Sequence, residues 1–210
     1  MNVLVFGASG GTGRELVKQA LAQGHSVTAF VRDPTTFDSK HPNLKVVQGD
    51  VADYESVERA VQNQDAALCA LGSSSPLKRD PTLIAGVRHI IEAMENAGAQ
   101  RFIYLSFLSV RDGRNQLSFL GKYIVAPLVL RSVVADHEVK ERLIKGSRLQ
   151  WTIVRPPRLT NGQRTGAYRS GERIAANSII PTISRADVAD FMLKQLADDT
   201  YLHRAPGVMN

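Results

Sequence analysis

Seven residues near the start, Gly7-Ala8-Ser9-Gly10-Gly11-Thr12-Gly13, have the composition of a phosphate cradle. Glycines 7, 10 and 13 give the spacing G-x-x-G-x-x-G between the apolar run "VLVF" at 3–6 and a helix-like stretch. Each part has a chemical use. Glycine permits a tight turn, lets a pyrophosphate approach bare backbone and lets the helix pack closely on the strand. The free N–H groups of the helix start, at the positive end of its dipole, then face phosphate oxygens. The Thr12 hydroxyl can join them. No Gly-Lys-Ser/Thr ending follows, which excludes a P-loop. The pattern predicts a dinucleotide on Gly7, Ser9, Gly10, Gly11, Thr12 and Gly13. The alternative is a turn whose glycines serve packing alone.

The second position that decides chemistry is Arg32, in "AFVRDP". An Asp or Glu at the end of the second strand accepts a hydrogen bond from the ribose 2′-OH of NAD. A guanidinium there pairs with a 2′-phosphate, often through two bonds. Arg32 therefore favours NADP(H), while Asp33 beside it keeps NAD(H) possible. Arg14, in the first helical turn, either assists or is merely solvated.

A third cluster is "ADHEVKE", residues 135–141. On a helix Asp136–Lys140 and His137–Glu141 are i, i+4 pairs, the spacing of solvated surface salt bridges. No paired cysteines, H-E-x-x-H or acidic cluster points to a metal, and no G-x-S-x-G elbow points to a hydrolase.

These residues need a scaffold that brings them together. Apolar β-branched runs at 3–7, 26–31, 44–49, 66–72, 101–106 and 151–154 alternate with helix-period stretches at 12–23, 53–62, 81–97, 131–145 and 185–197. Continuous apolar runs alternating with helices read as βαβ units around a buried parallel sheet. Right-handed crossovers make this a single Rossmann-like α/β domain over 1–210, doubly wound, with helices on both faces. Gly24 should stop the first helix. The segments 111–130 and 155–183 interrupt the alternation. Both follow strands on the side where open α/β sheets bind ligands.

"GASGGTGREL", "VRDP", "VVQGDVAD", "DAALCALGS" and "WTIVRPP…TGAY", in this order, resemble the atypical short-chain dehydrogenase/reductase superfamily. More narrowly, they are similar to the NAD(P)H-binding proteins grouped with biliverdin-IXβ (flavin) reductase. The resemblance implies that Asp50 and Val51 flank the adenine, that Leu71, Gly72 and Ser73 line the cofactor, and that Pro156 lies near the nicotinamide. Taken alone, Asp50 also reads as a helix N-cap, with Val51 opening the helix. The superfamily's usual Tyr-x-x-x-Lys pair is absent, since no tyrosine here is followed four residues later by lysine. The usual serine after the fifth strand aligns with Phe107, which leaves Ser106 one residue away as the catalytic candidate. Its alternative role is to satisfy backbone at a strand end. The biliverdin-IXβ reductase pattern also carries Asp-His at the start of the 131–145 helix, which makes His137 a proton relay or substrate contact titrating near neutrality. Where that pattern has histidine after Pro-Pro, Arg158 stands here, which argues against biliverdin and for an anionic ligand.

Composition narrows the function further. Lys and Arg exceed Asp and Glu by 26 to 20, enough to attract phosphate-bearing ligands, yet no aromatic-basic stripe indicates nucleic acid. The single cysteine, Cys69, sits in an apolar run and reads as an inert buried thiol. The stretch 117–130 is too short and too interrupted to span a bilayer. With no leader-like start, a cytoplasmic setting is expected. Phe119 and Tyr123 in that stretch, with Arg158 at the rim, are expected to shape an apolar acceptor pocket. The expected activity is NADPH-dependent hydride transfer to a planar acceptor such as a flavin or quinone. The alternative is a sensor that binds NADP(H) without turnover.

Overall fold

Strand β1 (Asn2–Phe6) shows how the sheet divides the molecule. Its side chains alternate between two faces. Val3 and Val5 enter one buried cluster, and Leu4 and Phe6 enter the other. The computed structural model describes residues 1–72, 79–108, 110, 131–175 and 181–210. Around β1 run β2 (Ser26–Val31), β3 (Leu44–Gln48), β4 (Ala66–Cys69), β5 (Arg101–Leu105) and β6 (Gln150–Val154). They form one sheet in the order β3-β2-β1-β4-β5-β6, every neighbouring pair parallel. This is the Rossmann-like doubly wound sheet expected from the alternation of apolar runs and helical stretches.

Helices α1 (Gly11–Ala22) and α5 (Arg185–Lys194) cover the face that holds Val3 and Val5. Helices α2 (Tyr54–Val61), α3 (Pro81–Ala97) and α4 (Arg131–Lys145) lie over the other. The apolar stripe of α1 is Leu16, Val17 and Ala20, all buried. The helix stops at Gln23, because Gly24 turns the chain with φ +81°. Asp53, not Asp50, caps α2, accepting from the Glu55 N–H at 3.2 Å.

The segment 155–183 is not a simple excursion. It contributes β7 (Arg158–Thr160), parallel to β9 (Thr182–Ser184), and β8 (Arg169–Gly171), antiparallel to β10 (Gly207–Met209). Three-residue strands carry too little periodicity to be read from sequence. The loop between β7 and β8 is pinned to α5 by Asp187, whose buried carboxylate accepts from the Thr165 N–H at 2.7 Å, the Gly166 N–H at 2.8 Å and the Ser184 hydroxyl at 2.8 Å. Among the described residues no helix is long and apolar enough to cross a membrane.

Candidate functional site

The glycine turn joins the carboxyl end of β1 to α1 at the point where the strand order reverses. Gly7 has φ +75°, and a Cβ there would stand 2.7 Å from the Ala70 carbonyl oxygen. The exits of β1 and β4 therefore touch through bare backbone. The Gly10 N–H closes the turn on the Gly7 oxygen at 3.0 Å. A Cβ on Gly13 would lie 2.0 Å from that same oxygen, so Gly13 is what lets α1 rest on the turn. Gly10 caps α1 without a side-chain bond, and no acidic residue stands in the first turn. The positive helix end is left uncompensated, which suits an anion.

A cleft of about 340 Å³ opens beside this turn, across the ends of β2, β1 and β4. Gly7, Ser9, Gly10, Arg32, Asp50, Val51, Leu71 and Gly72 all line it. Thr12 and Gly13 are buried beneath the turn, and exposed Gly11 opens α1 at its edge. Phe30 lies against Gly49, where a Cβ would come within 2.5 Å of the ring. Asp80, Thr82 and Leu83, at the head of α3, line it from the other side, with Val31 and Ala70 at the strand ends. Gly86 gives α3 its close approach: a Cβ there would meet the Val51 side chain at 2.6 Å. Asp50 folds its carboxylate onto the Ala52 N–H at 2.9 Å, a local turn in place of the helix cap.

The two charged neighbours at the end of β2 behave differently. Asp33 accepts from the Thr35 hydroxyl at 2.6 Å and the Thr35 N–H at 2.9 Å, and these bonds hold its carboxyl below the usual range. Arg32 faces the cleft, and among the described residues no carboxylate pairs with it. Arg14 is not free in solvent. Its Nε donates to the Ser9 carbonyl at 3.0 Å, and its guanidinium lies 5.3 Å over the Phe37 ring.

A second cluster forms where β5 and β6 end against α4. The Ser106 hydroxyl donates to Glu141 Oε1 at 2.7 Å and lies 3.4 Å from His137 Nδ1. The structure thus brings Ser106 and His137 together, with the Tyr104 hydroxyl also 3.4 Å from the imidazole. Glu141 receives Arg155 through two bonds, 3.0 and 2.6 Å. Burial holds His137 down at about 3, with Lys140 adding repulsion, so the imidazole is neutral at physiological pH and does not titrate near neutrality. Burial likewise pushes the Tyr104 hydroxyl well above its ordinary value.

The helix face expected to be solvated is therefore inside. Asp136, Lys140 and Glu141 are all buried. Asp136 pairs not with Lys140 but with Arg79 Nε at 3.0 Å and the Asp80 N–H at 2.6 Å, tying α4 to the head of α3. Period-3.6 spacing put these residues on one face, but polarity alone assigned that face to water. The partners that neutralise it, Arg155 and the 79–80 backbone, come from distant sequence.

Pro156 follows β6, where its carbonyl accepts the Leu108 N–H at 2.9 Å. It is not part of the cleft lining. Arg158 opens β7 as an exposed side chain. Ser73, Phe119 and Tyr123 lie outside the described residues. Sequence reasoning did not single out Phe30, Gly49, Thr82 or Leu83 as lining. Gly49, directly before Asp50 at a strand end, was the available signal.

Comparison with known proteins agrees with this architecture. The UPF0659 protein YMR090W of Saccharomyces cerevisiae is 30% identical over 207 residues, covering 93% of this chain and 87% of that protein. Some curated relatives are longer, and the chain spans 61% of the length of one and 34% of another. ChuY, an anaerobilin reductase from Escherichia coli O157:H7, shares the fold with TM-score 0.80 at 22% identity, covering 99% of this chain and 96% of its own. A short-chain dehydrogenase/reductase from Veillonella parvula, solved with NADP, has TM-score 0.80 at 19% identity, covering 100% of this chain and 94% of its own. A family model described as NAD(P)H-binding matches residues 7–199. The glycine turn, the cleft beside it and this match together place the chain in the NAD(P)H-binding family.

Proposed function

We propose that the chain, as one domain, is an NADPH-dependent oxidoreductase that passes hydride to a planar aromatic acceptor such as a flavin or quinone. The observation that carries the cofactor choice is the contrast between Arg32 and Asp33. Arg32 lines the cleft with no described carboxylate partner, while Asp33 spends its carboxylate on Thr35. A 2′-phosphate supplies the negative partner that Arg32 lacks, and Asp33, turned toward Thr35, is not among the residues that line the cleft.

The bound cofactor would supply a hydride, two electrons with one proton, to the acceptor. The residues of this chain do the rest by holding and orienting. Gly7, Ser9, Gly10, Gly11, Thr12 and Gly13 would hold the pyrophosphate, Asp50 and Val51 the adenine, and Leu71 and Gly72 the ribose side. Ser106 and His137 form the wall at the reacting end. A neutral His137 hydrogen-bonds but stores no proton for release at pH 7. An acceptor that takes its second proton from water suits such a site, because proximity then supplies the catalysis. An anaerobilin reductase among the fold neighbours and the NADP bound to another support a reductase using a flat acceptor. Arg158, exposed two residues past Pro156, would offer charge to an anionic group on it.

A neutral His137 beside the buried Ser106 and Glu141 also favours a second reading, a sensor that binds NADP(H) without turnover. Purified chain mixed with NADPH and FMN, or a small quinone, separates the two. Steady NADPH oxidation that needs the acceptor supports the reductase, with Arg158→Ala raising KM for the acceptor. Tight binding with no oxidation across such a panel favours the sensor. Equal use of NADH and NADPH would sink the cofactor assignment.

A further inference from the structure

Gly11 is the one glycine of the turn whose space is taken by a side chain. A Cβ there would lie 2.7 Å from Arg185 Cδ and 2.8 Å from its Nε. Arg185 comes from the far end of the chain, as the first residue of α5, and lies across the head of α1. Its Nη1 donates to Asn161 Oδ1 at 2.6 Å. Asn161 sits next to β7, in the loop that Asp187 pins to α5. The arginine is therefore positioned from both sides, by its own helix and by a fixed loop.

The electrostatics of that position are unusual. A guanidinium has been brought against the positive end of a helix that carries no acidic residue in its first turn and no side-chain cap. Its anchor is a neutral amide, and among the described residues no carboxylate pairs with it. Two positive groups side by side repel each other, and an anion between them reverses the sign of both interactions. A guanidinium also matches phosphate oxygens geometrically.

We propose that Arg185 is a cofactor-binding residue that grips the pyrophosphate from the solvent side, and that Gly11 is glycine to seat it. The proposal rests on the dinucleotide reading above and adds a contact from α5 to the glycine turn. Helix α5 thereby becomes part of the binding site. Gly11 has no positive φ, and the three atoms nearest a Cβ there all belong to Arg185.

The test is a matrix of ligands and variants on the purified chain, read by calorimetry. Arg185→Ala should weaken NADPH, NADH and ADP-ribose alike, by roughly ten- to a hundredfold, the range of a lost charge-assisted hydrogen bond. Adenosine 2′-monophosphate, which has no pyrophosphate, should bind the variant as it binds the parent. Gly11→Ala pushes Arg185 aside without deleting it and should reproduce the loss. The double variant should bind no worse than Arg185→Ala alone. Arg185→Lys should recover part of the affinity. Unchanged dinucleotide affinity in Arg185→Ala overturns the proposal, as does an equal loss for adenosine 2′-monophosphate, which would mark a general structural fault. A Gly11→Ala loss that persists undiminished in the Arg185→Ala background overturns the seating role. If the parent chain binds none of the four ligands, the dinucleotide reading itself fails. If it binds them and the variants do too, only the role of Arg185 is lost.

Discussion

Arg155 and Glu141 face each other as a closed two-pronged pair, Nε to Oε1 at 3.0 Å and Nη2 to Oε2 at 2.6 Å, with both side chains shut away from water. The pair joins the end of β6 to the middle of α4, and Ser106 hangs from the same carboxylate. Breaking a buried pair by removing one partner strands the other charge. Glu141→Ala should therefore cost about 3–5 kcal/mol of folding stability. Urea unfolding measures it. A loss below about 1 kcal/mol, the scale of an exposed pair, would contradict the buried assignment.

Cofactor choice should turn on one side chain. Arg32→Ala is expected to weaken NADPH binding by about 1.5–3 kcal/mol and to leave NADH nearly untouched. Titration of both cofactors decides it, since equal losses would remove Arg32 from the 2′-phosphate.

Two glycines of one turn should fail in different ways. A Cβ on Gly13 collides with the Gly7 carbonyl at 2.0 Å, so Gly13→Ala should destabilise the fold by about 1–3 kcal/mol, as overpacking does. A Cβ on Gly10 stands 3.3 Å from that oxygen, so Gly10→Val should fold. Its branched carbons stand where a pyrophosphate must approach. NADPH affinity should drop by about tenfold or more, on the scale of one charge-assisted hydrogen bond. Melting curves paired with calorimetry show whether the two defects separate. Unaltered affinity in Gly10→Val would leave the turn a packing device.

Acid should act on the fold through His137. Burial, reinforced by Lys140, keeps its folded pKa at about 3, whereas the unfolded chain protonates near 6.5. Above that value neither state takes the proton. As pH falls from 6.5 toward 3, the unfolded state gains it and the folded state does not, so stability is lost across that window. His137→Asn removes the titrating group. Between pH 7 and pH 4.5 the parent should lose about 2–3 kcal/mol more than this variant. Parallel losses in denaturation at the two pH values would show that the imidazole reaches solvent.

The parallel sheet and five helices were legible because each rests on a local pattern: continuous apolar runs, period-3.6 stripes, and Gly24 as a stop. The glycine turn and its place beside the cleft were legible for the same reason, since Gly7, Gly10 and Gly13 sit within seven residues and Arg32 ends a readable strand. What escaped was long-range. Nothing near Asp136 announces Arg79, and nothing near Glu141 announces Arg155. A solvated pair and a buried network share one spacing, and only the fold tells them apart. The three-residue strands β7 to β10 escaped because a ladder that short is set by its partner rather than by its own pattern.

The contact of α1 with α5 carries a consequence for how the chain reaches this state. Gln19 donates to the Ala186 carbonyl at 2.9 Å across 167 residues of sequence. A nascent chain emerging at about 5–20 residues per second completes the glycine turn early, then waits roughly ten to thirty seconds for the helix that covers it. Through that interval Leu16, Val17 and Ala20 form an uncovered stripe beside unpaired strands. Such non-local closure slows folding and leaves partly folded chains open to association. The glycine turn is thus made early and covered late, and the incomplete chain is the form most exposed to association.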